Sequence, residues 1–519
     1  MMTVTTGGVK YNLNLLEKHL HLLLRIIAYS SAVYFFSFIT ADTDLWGHIK
    51  FGMDTWAQKA LHRFDIYSYT AYGREWINHE WLSELVMYLV YHIFGSPGLL
   101  MGKLFVGLVI VYILSCISFN RNSNPLVYGL VFALSVFIMS PGFMTRPQIA
   151  TFLFTTLFLF IFHLYFEREK NLLWSLPLIM TLWVNCHGGF LIGLGMFPVV
   201  VVSAIISFRS KNGDGRYLHS LIFWLVLTEA SALINPYGFR LLVFLYETLT
   251  VKRNIWEWNP VTLFDLSYLR FKLFAILVIL TLFFKKKGNR YWEMGIILIA
   301  MIYALKHQRH TPILAIVAAP YLTEKLSILG RQSNLFYKVR SFHAYLILVI
   351  SLTLIISYQI FHTANRYIKT GFNILVDPRI YPIYPVHFLK ENGIKGNILL
   401  PFEWGEYVIW KLYPNCKVSI DGRFRTVYPQ EVIEAHFGVL SDELKYNELL
   451  DRYPTDIILV KRKPFFYHLI SNQKKWIYIY SDSDSIIFIK NKDSNQGIVD
   501  KLKRKELIYP RKELSVYFH

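Results

Sequence analysis

Three cysteines, Cys116, Cys186 and Cys416, are all that 519 residues contain, and they lie far apart. That spacing excludes a disulfide framework and a cysteine-based zinc motif. Charge is scarce as well. Asp, Glu, Lys and Arg make up 17% of the chain, against roughly 25% in soluble domains, which argues against a fully soluble protein. There is no solenoid-type repeat and no low-complexity segment. The last third of the chain has neither a G-x-G-x-x-G nor a G-x-x-x-x-G-K string, so nucleotide binding there has no support. No small-residue cleavage site follows the first apolar run. That run is expected to remain as a signal anchor, flanked by Lys10, Lys18 and Arg25.

Apolar length is what the chain has in plenty. It is 54% hydrophobic and 17% aromatic, with a mean hydropathy of +0.35. Runs of about 17–22 residues recur, each long enough to cross ~30 Å of hydrocarbon. About eleven spans are predicted, near 20–40, 99–119, 125–140, 148–166, 172–186, 190–208, 217–234, 270–284, 291–306, 311–327 and 341–361. The formal charge of +19 is explained by loops rather than by nucleic acid. With a cytoplasmic N-terminus, the inside loops carry Arg121; Arg168 and Lys170; Arg209, Lys211 and Arg216; Lys285, Lys286, Lys287 and Arg290; and Lys325, Arg331, Lys338 and Arg340. Each cluster falls where alternation requires it. Residues 79–95 are too short in apolar length to span and read as an interfacial helix.

The predicted fold is therefore a polytopic α-helical membrane protein with a C-terminal extracytoplasmic α/β domain. The membrane domain covers 1–361, with a first outer loop at 41–98 and a second long outer loop at 235–269. The second loop holds an amphipathic stretch, Phe239–Thr250. The domain at 362–519 alternates β-rich runs (Asn397–Leu400, Lys417–Ile420, Asp456–Val460, Trp476–Tyr480, Ser485–Ile489) with helix-like stretches near 385–392, 404–412, 428–451 and 463–472.

The polar residues with chemistry to offer concentrate on the outer face. Asp42 and Asp44 follow the first span, at the lip of the membrane, where a carboxylate can serve as a general base or hold a metal or a sugar hydroxyl. Solvated turn residues are the plainer alternative. His48, Asp54, His79 and Glu80 share the loop, with Glu80 at a helix start. Arg146, and the cluster Lys306, His307, Arg309 and His310, sit where insertion disfavours cations. The Arg donor fork suits phosphate oxygens, although lipid headgroups or nearby acids would also satisfy it. His187 and Asn235 lie in Gly- and Pro-bearing turns at the same depth and are candidates for hydrogen bonding a substrate. Trp256 and Trp258 read as interfacial anchors. Glu403-Trp404-Gly405 and Asp421-Gly422-Arg423 each follow a predicted strand, where open α/β sheets place working loops.

This layout resembles the GT-C superfamily of membrane glycosyltransferases, and an undercharacterised prokaryotic branch near family 39 in particular. The residues carrying the likeness are Asp42-Thr43-Asp44, His79-Glu80-Trp81-Leu82, Arg146-Pro147-Gln148, Asn235-Pro236-Tyr237-Gly238, His307-Gln308-Arg309-His310 and Asp421-Gly422-Arg423. The resemblance implies a polyprenyl-phosphate-sugar donor and inverting transfer to a lipid, glycan or protein acceptor at the outer face of the inner (plasma) membrane. Asp42 or Asp44 would be the base, with Glu80 next in line, and Arg146 and Arg309 would hold the donor phosphate. Asp-Thr-Asp replaces the Asp-Glu often seen in family 39. A divalent metal is left open. A lipid or oligosaccharide flippase and a non-catalytic envelope assembly protein are the competing expectations.

Overall fold

The computed structural model describes residues 3–6, 9–121, 123–211, 215–250, 256–262, 264–284, 290–332, 342–439, 443–463, 474–511 and 516–518. Lys285, Lys286, Lys287, Lys338, Arg340 and, from the helix-like stretch at 463–472, residues 464–472 lie outside them. The chain separates into two compact units: residues 1–38 with 100–372, and residues 39–99 with 373–519.

The first unit is helical. Helices occupy Leu13–Phe36, Pro125–Met139, Gln148–Arg168, Ser175–Cys186, Phe190–Lys211, Gly215–Ser231, Leu269–Leu282, Tyr291–Lys306, Thr311–Gln332 and Phe342–Lys369, together with the end of Trp81–Asn120. Each predicted span coincides with one of them. Among the described residues, six helices are long and apolar enough to cross a membrane: Lys18–Phe36, Trp81–Asn120, Pro125–Gly142, Gln148–Arg168, Gln308–Gln332 and His343–Lys369. The amphipathic stretch of the second outer loop is the helix Phe239–Thr250. Local chemistry sets the boundaries. Asn124 caps Pro125–Met139 by accepting from the Leu126 N–H at 2.9 Å, with Pro125 at the first helical position. Trp81–Asn120 is one helix in sequence but is interrupted at Gly95, whose φ of 64° a side chain would resist. The stretch at 79–95, expected to be interfacial, is the part before this break. A polar clasp joins the first and last helices of the unit, with Ser30 Oγ donating to Gln359 Oε1 at 2.7 Å and Gln359 Nε2 donating to Ser31 Oγ at 3.1 Å.

At one end of this unit the helix termini meet in a buried ion network. Arg121 donates to Glu167 at 2.5 Å and to Glu293 at 2.8 Å. Arg290 pairs with Glu293 at 2.7 Å, with Glu167 at 3.4 Å and with Glu324. Arg168 donates to the Asn120 carbonyl. Three of the loops assigned to the cytoplasm thus converge on one end of the bundle.

The second unit is built on a five-stranded sheet. Its order is Cys416–Val418, Gly396–Leu399, Ile457–Lys461, Ser485–Lys490, Trp476–Ser481. The first two junctions are parallel and the last two antiparallel. The parallel pair Gly396–Leu399 and Cys416–Val418 is joined by the helix Gly405–Leu412, as a parallel crossover requires. Ile457 to Val460 and Ser485 to Ile489 are continuously buried, the signature of strands covered on both faces.

The grouping differs from a division at residue 361 in two respects. The last long helix continues to Lys369, so the second unit resumes at Asn373. The first outer loop also packs with the C-terminal segment. Its backbone extends the sheet edge: Val418 N–H donates to the Tyr67 carbonyl and Tyr69 N–H to the Val418 carbonyl, both at 3.1 Å. Trp46 is buried against Tyr381, Tyr407 and Phe518. An unpaired strand edge and a loop rich in aromatics satisfy each other.

Candidate active site

Two helix starts bring the acids of the second unit together. The helix Leu45–Gln58 begins after Asp44. Asp42 is buried, and its carboxylate accepts the Asp44 N–H at 3.1 Å, which is turn chemistry. Asp44 and His48 are four residues apart and share a helix face. Glu80 and Glu84 do the same at the start of Trp81–Asn120. The helices approach closely because position 52 is glycine; a Cβ there would collide with the Glu84 backbone and lie 2.9 Å from Tyr88 Cβ.

Across this contact His48 Nδ1 lies 3.2 Å from Glu84 Oε1. Asn78 orders the pair, donating to Glu84 Oε2 at 2.6 Å and accepting the Glu80 N–H at 3.2 Å. One donor atom from each of His48, Glu80 and Glu84 falls within 4.8 Å of the others. Burial pushes the His48 imidazole down, but the hydrogen bond to Glu84 and the charges of Glu80, Glu84 and Asp44 outweigh it and hold its pKa above the ordinary value. His79 lies beside Glu80, at 3.8 Å.

A further carboxyl, Glu406, comes from the helix Gly405–Leu412. It is buried, and its Oε2 accepts the Gly47 N–H at 3.1 Å. A side chain built on Gly422 would run into Glu406 and sit 2.8 Å from Asp44 Oδ1, so Asp44 and Glu406 flank one small space. Burial, then the charges of Asp44 and Asp421, raise Glu406 well above the usual carboxylate range, against the pull of Arg423 and the Gly47 N–H. Glu406 is therefore biased toward its protonated form, beside an Asp44 that is only partly buried.

The wall behind Glu406 is the Asp421-Gly422-Arg423 turn. Arg423 is buried, with Nη1 2.7 Å from Asp65 Oδ1 and Nη2 2.7 Å from Asp421 Oδ2. Its guanidinium also faces Trp76 at 4.9 Å, Tyr67 at 5.1 Å and Phe51 at 5.3 Å. Tyr428 donates to Asp421 at 2.6 Å. Every partner of Arg423 is thus occupied inside the fold, which makes it a brace for the acids.

The cations of the first unit gather on a single turn, Trp256–Trp258. Arg146 Nη1 lies 3.2 Å from Glu257 Oε1. The Arg309 guanidinium stacks 4.7 Å over the Trp258 ring. His307 Nδ1 donates to the Trp258 carbonyl at 2.7 Å, and the His310 ring lies 6.1 Å from Trp258. Lys306 ends its helix exposed to solvent. Trp258 is thus a platform for a cation as well as a wide aromatic. His187 sits elsewhere in this unit, its Nδ1 accepting from Gly189 N–H at 3.0 Å and meeting Thr151 Oγ1 at 2.8 Å. The Asn235 amide is engaged in its own turn, donating to Ala232 and Gly238 carbonyls and accepting the Tyr237 N–H.

The sequence reading did not single out Glu84, Glu406, Asn78 or Asp65. Glu84 had a usable signal: an acid four residues after Glu80 at the head of an apolar helix. Glu406 directly follows a flagged tripeptide, but only its contact with Gly47, 359 positions away, gives it meaning.

No protein-family model matches the chain, and no curated protein matches it in sequence. Solved structures do. The archaeal oligosaccharyltransferase AglB from Archaeoglobus fulgidus, in complex with an inhibitory peptide and a dolichol-phosphate, aligns over 92% of this chain and 75% of its own, with 11% identity and a TM-score of 0.58. ArnT from Cupriavidus metallidurans in the apo state aligns over 88% and 95%, with 11% identity and a TM-score of 0.51. The arabinofuranosyltransferase AftD from Mycobacteria aligns over 93% of this chain and 40% of its own, with 13% identity and a TM-score of 0.50. The chain shares its fold with these solved transferase structures.

Proposed function

We propose that this protein is a membrane glycosyltransferase. It would move a sugar from a polyprenyl-phosphate-linked donor to an acceptor on the extracytoplasmic face of the inner membrane, with inversion. The observation that carries the reading is the GT-C fold, matched over 92% of the chain, combined with a buried carboxyl, Glu406, raised well above the usual carboxylate range beside Asp44.

In this reading the bond from the anomeric carbon to the donor phosphate breaks, and the bond from that carbon to an acceptor oxygen or nitrogen forms. Asp44 takes the acceptor proton. Asp42 shapes the turn that presents Asp44, which favours Asp44 as the base; Glu80 is the remaining candidate. Glu406 is a positioning residue, because its proton keeps a second negative charge from building up against Asp44. The leaving phosphate needs fixed positive charge rather than a proton, and Arg309 and Arg146 are assigned to it. The N-terminus is cytoplasmic, and the unit bearing Asp44 faces outward.

Purified full-length protein supplied with radiolabelled polyprenyl-phosphate-sugar should release polyprenyl phosphate. Deleting the gene should remove a defined species from the mass spectrum of surface glycans and glycolipids. Intact surface glycans, with no donor consumed in vitro, would sink the proposal.

A further inference from the structure

Two helix starts deliver an imidazole and two carboxylates to one buried point, and Asn78 fixes the orientation of one of those carboxylates. We propose that His48, Glu80 and Glu84 form a binding site for a single divalent transition ion of the zinc or manganese type.

The geometry that serves the His48–Glu84 hydrogen bond also fits a metal. Two ligands at about 2.0–2.1 Å from a tetrahedral ion stand roughly 3.3 Å apart; His48 Nδ1 and Glu84 Oε1 stand 3.2 Å apart. The third donor, from Glu80, lies within the 4.8 Å group and sits on the same helix face as Glu84, one turn away. A nitrogen with two carboxylate oxygens suits zinc or manganese better than magnesium or calcium, which favour all-oxygen shells. The two carboxylate charges balance the ion. Three protein ligands leave coordination positions for an outside oxygen, as in catalytic rather than structural sites. Asn78 has the outer-shell role of holding a ligand carboxylate in register. Asp44, one turn before His48, would then lie beside a bound cation. The catalytic part of this inference rests on the transferase reading, but the ion itself is measured with no donor or acceptor present.

The test uses full-length protein purified without a histidine tag, stripped with chelator and titrated with Zn²⁺, Mn²⁺ or Mg²⁺ alone. One equivalent of Zn²⁺ or Mn²⁺ should bind, each more tightly than Mg²⁺. Pulsed electron paramagnetic resonance of the Mn²⁺ form should show coupling to an imidazole nitrogen. Asn78→Ala should weaken binding about 10–100-fold, and His48→Ala or Glu84→Gln by more. His387→Ala, at a 54% exposed side chain outside the cluster, should change nothing. No bound ion in the wild-type protein, a bound ion without nitrogen coupling, or tighter binding of Mg²⁺ than of Zn²⁺ would each overturn the proposal. The wild-type measurements stand even if a variant fails to fold. Metal bound as described with no sugar transfer would leave the site standing and remove the transferase reading.

Discussion

The acids of the second unit and the cations of the first are built to opposite plans. Glu406, Asp421, Asp65 and Arg423 are buried and bonded to one another or to backbone. Arg146 and Arg309 are only partly covered, one against Glu257 and the other on Trp258. Burial makes a carboxyl's charge conditional, because it can keep its proton instead. A guanidinium cannot lose its proton in the accessible range. One cluster is therefore suited to handling protons and the other to presenting fixed charge.

The sharpest way to break this contrast is Asp44→Asn, which keeps shape and removes the acceptor for a proton. Turnover should fall about 10²–10⁴-fold with the melting temperature unchanged; near wild-type rates in well-folded protein would move the base to Glu80. Next is Arg423→Ala, which leaves Asp65 and Asp421 buried without their cation. A loss of roughly 3–5 kcal/mol in denaturant unfolding is expected, and a loss under 1 kcal/mol would deny Arg423 its bracing role. Arg309→Ala should weaken donor use by about 1.5–3 kcal/mol in kcat/KM without affecting folding. Arg309→Lys should recover part of this, because the charge returns without the planar fork.

Two smaller effects follow pH. Glu406 is raised in the folded state, so its contribution is fully present below the ordinary carboxylate pKa of about 4.5 and is lost as pH rises through the folded value. Glu406→Gln should remove that decline from a melting-temperature profile run from acid to neutral; an identical profile would show that Glu406 is ionised in the fold. His436 is opposite in sign. Burial lowers it to about 4, opposed only by Glu403, and among the described residues neither ring nitrogen has a hydrogen-bond partner. Its stability is full above about 6.5 and is lost as pH falls toward 4. His436→Leu should flatten that acid limb and change neutral-pH stability by less than about 1.5 kcal/mol.

Much of the helical layout was legible because hydropathy acts locally. A span needs nothing beyond its own residues, and the five β-rich runs are likewise the five strands of one sheet. The 428–451 stretch is two helices, Gln430–Val439 and Glu443–Arg452. What the sequence concealed depends on partners far along the chain. The loop at 41–98 reads as an appendage of the membrane segment until Tyr67 and Tyr69 pair with Val418. Asp44 was recognisable as an acid in a telling place. That Glu406 would share its space rests on the close approach at Gly47 and Gly422, which no local pattern encodes. Arg146 and Arg309 stood out by their position against the insertion bias, but their contacts with Glu257 and Trp258 join segments too far apart for a local pattern to encode.

The ion network at the other end of the first unit has a consequence for how the chain is made. Its members emerge from the ribosome in the order Arg121, Glu167, Arg290, Glu293, Glu324. Arg121 gains its first acid within fifty residues, but Arg290 is not matched by Glu324 until the Thr311–Gln332 helix has been synthesised. Before then its partners are Glu293, three residues on, and Glu167. Docking of this late helix adds a third carboxylate to two arginines that Glu167 and Glu293 already face, so the finished network holds one more acid than cation.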